Sequence, residues 1–292
     1  MVSGQEFYSW YQQAKQTAIA AKISPAEVDW LLREITGLNS LSLRLGLLQQ
    51  KEQILLTQSL NQIIELWQKR LKEHVPVQYL VGKTPWRHFN LKVAPGVLIP
   101  RPETELLIDI VEKAVTPQLK SGDWVDLGTG SGAIALGLAA SFPEATVHAI
   151  DCSEVALAIA RDNAVSLGLA ERIHFYQGNW WSPLTYLKGQ VRAMVANPPY
   201  IPTTDLSQLQ PEVILHEPHL ALDGGKDGLN HIRHLVEVSS DYLCSGGIWL
   251  IEMMAGQAQS VAHLLQAKGD YHQIQILPDL AGIERFALAY RR

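Results

Sequence analysis

The sequence predicts an α/β protein: a seven-stranded, doubly wound, Rossmann-like sheet preceded by an all-α helical bundle and joined to it by a β-hairpin. Three observations carry this. Residues 1–80 show helical periodicity and no strand pattern. From Glu103 onward, short apolar runs alternate with helical stretches, as a parallel sheet covered on both faces requires. Between these regions Pro76, Pro85, Pro95, Pro100 and Pro102 punctuate short apolar runs. The expected divisions are 1–84 for the bundle, 85–102 for the hairpin linker and 103–292 for the sheet domain.

In the bundle, Gln5 to Ala21 is rich in Ala and Gln, with Phe7, Trp10 and Tyr11 at helical spacing. Ser24-Pro25-Ala26-Glu27 reads as a capping box with Pro at the helix start, and Gly37 suits the far end. Val28, Leu31, Leu32 and Ile35 lie between them as an apolar stripe. A third helix is expected from about Glu52 to Lys72, with Leu55, Leu56, Ile63, Ile64, Trp67 and Leu71 facing inward. Such stripes build a core, which leaves only the remaining face for a partner. Phe89-Asn90-Leu91-Lys92-Val93 alternates and reads as one arm of the hairpin.

The expected strands of the sheet are Trp124–Leu127, Thr146–Asp151, Ile173–Tyr176, Ala193–Ala196, Gly247–Glu252, His272–Leu277 and Ile283–Tyr290. Helices fit between the first six. Pro278 to Gly282 is too short for a helical crossover, so the last two strands must pair antiparallel. An antiparallel hairpin closing a parallel sheet separates methyltransferase sheets from plain dinucleotide-binding ones.

Bulk properties exclude several classes. The chain has 292 residues, 47% of them hydrophobic, and a net charge of −5. It lacks the basic excess of a protein that draws its affinity from phosphates, so direct nucleic-acid binding is not expected. Two cysteines, Cys152 and Cys244, with no C-x-x-C, speak against a disulfide scaffold or zinc module. The first ten residues do not resemble a signal peptide, and no apolar run approaches the roughly 20 residues that span a bilayer. The expectation is a cytoplasmic monomer with no membrane association and no metal.

Two constellations carry chemistry. Asp126-Leu127-Gly128-Thr129-Gly130-Ser131-Gly132 places three glycines between a strand and a helix, where a turn without Cβ atoms lets backbone approach a ligand. A dinucleotide loop spaces its glycines as G-x-G-x-x-G to seat a pyrophosphate at the helix start. Here they are closer, and an acid precedes them. Asp126 would repel a pyrophosphate but suits the ammonium of a methionine group. Asp151, ending the second strand, is placed to accept both ribose hydroxyls. The nucleotide expected is therefore S-adenosylmethionine.

The fourth strand runs into Asn197-Pro198-Pro199-Tyr200. Consecutive prolines end the ladder, fix φ twice near −65° and leave carbonyls without neighbouring N–H donors. Those carbonyls, with the Asn197 side-chain oxygen, can accept both hydrogens of a planar NH2 group. An amide nitrogen is a poor nucleophile, because its lone pair is delocalised. Gripping both N–H bonds aims that lone pair and steadies the positive charge that develops on transfer. Tyr200 is expected as an aromatic wall against that charge. Asn197, Pro198 and Tyr200 are thus the catalytic candidates, with Pro199 completing the substrate grip. Residue chemistry reaches an amide or amino nitrogen and no further.

With these residues in view, the chain resembles the bacterial protein-(glutamine-N5) methyltransferases of peptide chain release factors, the HemK/PrmC family. The similarity covers nearly the whole chain, including Pro76 to Gly82, Leu98 to Glu105, Asp126 to Gly132, Asn197 to Pro202, and His216-Glu217-Pro218 followed by Ala221 to Gly225. It implies that Gly128 to Gly132 and Asp151 hold S-adenosylmethionine, that Trp180 lies against the adenine, and that Asn197 to Tyr200 hold the glutamine of a Gly-Gly-Gln loop, with Asn197 also near the cofactor. S-adenosylhomocysteine would be the product and release factors the partners. The resemblance also makes the bundle a recognition element for the protein substrate. Asn179 stands where the family has Asp, keeping a carbonyl for the adenine amino group but no charge. Glu252 to Gln257 also departs from the family pattern, which has a glycine close behind the glutamate.

Rival readings are a ribosomal-protein glutamine, a nucleic-acid adenine or guanine amino group, and a translation-factor binding module without chemistry. The intact Asn197 to Tyr200 run opposes the last. His216, His219, His231 and His234 read as surface or hydrogen-bonded residues, and Cys152 as a small buried one. Arg101 and Glu103 either organise the mouth of the site or cap the next helix.

Overall fold

A computed structural model describes residues 1–292, the side chain of Ser40 excepted. Two compact units divide the chain: Met1–Lys83 with Gln210–His216, and Thr84–Leu209 with Glu217–Arg292.

The first unit is helical, built from α1 (Gly4–Ala20), α2 (Ala26–Thr36), α3 (Ser40–Arg44), α4 (Leu60–Lys72) and α5 (Val77–Val81). Phe7, Tyr11, Val28, Leu31, Leu32, Ile63 and Trp67 form its core, as their spacing requires. Gly37 and Gly82 close α2 and α5 in the left-handed conformation. Two expectations fail here. The third long helix begins at Leu60, not near Glu52. Ser59 and Gln62 form a reciprocal capping box that starts it there. Upstream, Ile54 pairs with Val2 in an antiparallel bridge, and Leu55 is exposed.

Nor does Ser24 make a capping box with Glu27. The Glu27 carboxylate is taken by Arg70, whose Nε and Nη2 donate to it at 2.6 and 3.2 Å. Arg70 also donates to Glu212 at 3.1 Å, which ties the segment Gln210–His216 into this unit. The Arg70 side chain is only 4% exposed. A buried guanidinium with two carboxylates outbids a surface cap, since leaving it unpaired would cost several kcal/mol.

The second unit opens with a two-stranded hairpin, β1 (Lys83–Trp86, its first residue in the helical unit) and β2 (Phe89–Lys92). Trp86, Phe89 and Leu91 enter the core of the sheet domain. Arg87, at the turn, donates to Asp109 at 2.6 Å, fixing the hairpin to α6 (Leu106–Ala114). The chain then runs β3 (Gly122–Leu127), α7 (Ala133–Ser141), β4 (Ala145–Asp151), α8 (Glu154–Ser166), β5 (Ile173–Gln177) and β6 (Val191–Ala196), with only a kinked 3-10 stretch, Ser182–Leu187, in place of the helix expected between β5 and β6. After α9 (Pro211–His216), which belongs to the first unit, come α10 (Asn230–Ser239), β7 (Leu243–Glu252), α11 (Ala258–Lys268), β8 (Tyr271–Pro278) and β9 (Glu284–Arg291).

All seven expected strands form. Their order is β5-β4-β3-β6-β7-β9-β8. β9 inserts antiparallel between β7 and β8, so it alone opposes the parallel set. α7 is apolar on every side and buried from Ala133 to Ala139. The sheet covers one face, while Trp86 and Ile108 press on Gly137, where a Cβ would lie 2.8 Å from Ile108. β3 and β6 are neighbours, with Leu127 opposite Ala196, and the strand order reverses between them. That topological switch point is where a doubly wound sheet opens a crevice for a ligand.

Candidate active site

The crevice is a cleft of about 200 Å³ within the second unit. Gly128, Thr129, Gly130 and Ser131 line it from the loop after β3. Asp151 reaches it from the end of β4, Asn179 and Trp180 from the loop after β5, and Asn197 and Pro199 from the loop after β6. Of the residues expected at the site, Asp126, Gly132, Pro198 and Tyr200 lie behind this lining.

The glycine loop turns through three left-handed glycines and is held by its amides. Gly128, Gly130 and Gly132 have φ of 80°, 56° and 87°. The Gly128 and Thr129 amides both donate to the Ile150 carbonyl at 2.9 Å, and the Gly130 amide donates to Asp151 Oδ2 at 2.9 Å. A Cβ on Gly132 would sit 3.1 Å from that of Ala160, so this glycine lets α7 start against α8. Asn163 clamps the loop from behind. Its Nδ2 donates to the Ser131 and Lys92 carbonyls at 2.9 and 3.0 Å, and its Oδ1 accepts from the Lys92 amide at 2.7 Å.

Asp126 lies beneath the loop, fully buried. Its Oδ2 accepts from the Thr129 hydroxyl at 2.6 Å and the Ala135 amide at 3.0 Å, while Oδ1 has no partner. Burial, with a smaller push from the charge of Asp151, raises its carboxyl to about 7 against the pull of those two bonds. Trp180 adopts φ of 52°, rare for a bulky residue. Its ring packs over Gly128 on one side and lies 5.3 Å from the His231 ring.

After β6, Pro198 is buried and Asn197, Pro199 and Tyr200 are half-buried. The Tyr200 hydroxyl donates to Glu252 Oε1 at 2.9 Å. Thr104 donates to Glu252 Oε2 at 2.7 Å and accepts from Asn197 Nδ2 at 3.2 Å. Gln257 Nε2 donates to the Tyr200 and Gly228 carbonyls at 2.9 and 3.3 Å. Gly228 itself, at φ of 74°, leaves no room for a Cβ, which would fall 2.3 Å from the Tyr200 oxygen.

Arg101 lines the cleft and donates to Glu217 Oε1 at 2.5 Å, while the Ile99 amide donates to Oε2. Of the two roles open to Arg101 and Glu103, Arg101 takes the mouth of the site; Glu103 is exposed in a 3-10 turn. One expectation is corrected: Cys152 is exposed at the cleft, because it follows Asp151 off the carboxyl end of β4. His231, half-exposed at the start of α10, lines the cleft beside Trp180. The residues that sequence reasoning missed are Thr104, Asn163, Glu252 and Gln257. One signal was available for Glu252: a carboxylate ending a strand of apolar residues has no business in a core without a partner.

A glycine loop and a Pro-Pro loop facing one crevice at the switch point, on a sheet closed by an antiparallel strand, define a class I methyltransferase. The structure of a methyltransferase from Pyrococcus furiosus shares the fold, with a TM-score of 0.50 over 70% of this chain and 89% of that one at 17% identity. The family model "Methyltransferase small domain" matches residues 102–226. Among curated relatives, the release factor glutamine methyltransferase of a Synechocystis species is 57% identical over 99% of this chain and 97% of its own length. That of Thermosynechococcus vestitus is 46% identical over 99% of both. The chain belongs to the release factor glutamine methyltransferase family.

Proposed function

We propose that this chain transfers a methyl group from S-adenosylmethionine to the side-chain amide nitrogen of the glutamine in the Gly-Gly-Gln motif of peptide chain release factors. The observation that carries the reading is the single cleft onto which both the glycine loop and Asn197 open. Family membership narrows the accepting nitrogen to a glutamine amide.

The residues present fit the cofactor. Asp126 braces the glycine loop from beneath, accepting from the Thr129 hydroxyl and the Ala135 amide. Asp151 accepts from two backbone amides, at Gly130 and Ser153, and a carboxylate has lone pairs remaining for hydroxyls. Trp180 offers an aromatic face and Asn179 a side-chain carbonyl. When bound, S-adenosylmethionine supplies a methyl group on a sulfonium. The protein's part is orientation. Asn197 Oδ1 and the Pro198 carbonyl accept the two amide hydrogens, and they stabilise the charge that appears on nitrogen. No side chain need act as a strong base, since a methylated cationic amide loses its proton readily. In the same reading the bundle recognises the protein substrate, and the enzyme works as a cytoplasmic monomer.

The test is incubation with labelled cofactor and recombinant release factor, followed by peptide mass spectrometry. One methyl group on the motif glutamine is expected. Asn197→Ala should lower turnover by roughly 10²–10³-fold, as losing a preorganised polar group does. Label confined to nucleic acid, or near-normal turnover in the variant, would overturn the proposal.

A further inference from the structure

One buried carboxylate holds the Asn197–Tyr200 loop at both ends. Glu252 closes β7 and is 2% exposed. One of its oxygens accepts from Tyr200 and the other from Thr104, which in turn meets Asn197. The direction of each bond follows from what the groups have to give. Both Glu252 oxygens are engaged as acceptors, so Thr104 commits its single hydroxyl hydrogen to Glu252. The Thr104 oxygen then offers Asn197 lone pairs alone. Asn197 must therefore turn its NH2 toward Thr104, which leaves Oδ1 on the other side of the amide, for the cleft.

We propose that Glu252 and Thr104 are positioning residues that set which end of the Asn197 amide meets the substrate. This rests on the reading of Asn197 as acceptor for the glutamine NH2, and adds the origin of its polarity. Without the Thr104 hydroxyl, either amide orientation is open to Asn197. A chain begun by a donor at position 252 runs the opposite way: Thr104 donates to Asn197 Oδ1, and NH2 faces the substrate's own NH2. Two donors then oppose each other where a grip is needed. Gln257 fixes the carbonyl of Tyr200 from outside this chain, so the loop's backbone stays in place when the side-chain bonds are altered.

The experiment compares full-length Thr104→Val, Thr104→Ser, Glu252→Gln and Asn197→Ala with the parent, using recombinant release factor as substrate. Thr104→Val keeps the volume and removes the hydroxyl. Its kcat should fall by about 10–100-fold, with KM and adenosylhomocysteine affinity within about twofold of the parent. Thr104→Ser should recover most of the parent kcat, which a packing role for the Thr methyl does not predict. Glu252→Gln can still accept from Thr104 while its NH2 turns to the Tyr200 oxygen, so it should keep most of the parent kcat. If Asn197→Ala is inactive while Thr104→Val keeps half of the parent kcat or more, this inference fails and the role of Asn197 stands. Near-normal turnover by Asn197→Ala removes both. Equal losses in Thr104→Val and Thr104→Ser also overturn the proposal, as does a Thr104→Val defect confined to KM. Should Glu252→Gln not fold, the Thr104 pair decides the question.

Discussion

Replacing Asp126 with Asn should shift the stability of the cofactor-free protein in the variant's favour as pH rises. The Asp126 carboxyl rises from an ordinary 3.8 to about 7 in the folded state. The folded chain thus binds more protons than the unfolded one between those values, and stability falls as pH rises through that window. Above pH 7 the loss is complete, at about 4 kcal/mol for roughly three pH units. At pH 5 it is less than half of that by the same linkage. Asn has no such titration. Its carbonyl still accepts from Thr129 and Ala135, while its NH2 takes the place of the unpartnered Oδ1. That orphan donor costs about 1–3 kcal/mol, equally at every pH. The readout is therefore the change in the gap between variant and parent, about 2–3 kcal/mol in the variant's favour from pH 5 to pH 8. In a domain of this size that is about 5–10 °C of relative Tm. Thermal melts from pH 5 to 8.5 without cofactor measure it directly. A gap that stays constant across that range would refute the reasoning.

Two further outcomes concern the cofactor and the bundle. Asp151→Ala should weaken adenosylhomocysteine binding, measured by calorimetry, more than it slows turnover at saturating cofactor; the reverse pattern would remove Asp151 from the cofactor's grip. Deleting residues 1–83 should impair methylation of intact release factor while leaving cofactor binding measurable. Because Gln210–His216 belongs to the bundle unit, a second deletion that also replaces this segment by a short linker controls for its exposure. Equal rates on release factor with and without the bundle would end its recognition role.

Much of the fold was legible because its signals are local. All seven strands appear where the short apolar runs lie, and the short Pro278–Gly282 connection correctly required an antiparallel pair. Errors arose where a distant partner decided the outcome. Glu27 completes a capping box on paper, but Arg70 takes its carboxylate from α4. Leu55 and Leu56 extend the apolar pattern of α4 backwards, yet the Ser59–Gln62 cap and the Val2–Ile54 bridge set the real start. The site divides in the same way. The two cleft loops are contiguous in sequence and could be read, whereas the side chains that orient them arrive from elsewhere. Thr104 meets Asn197 from 93 residues away and Glu252 from 148. Asp126 was legible as an acid before the glycines. Its burial, and the proton it therefore holds near neutral pH, was not.

Gly228 has a genetic consequence. No motif contains it and it does not line the cleft, yet any side chain there must displace the Tyr200 carbonyl or the Gln257 amide. An allele carrying Ala at this position would leave every recognisable signature of the enzyme unchanged. Screens that judge a gene intact by its motifs would count such an allele as functional, and a complementation assay would not.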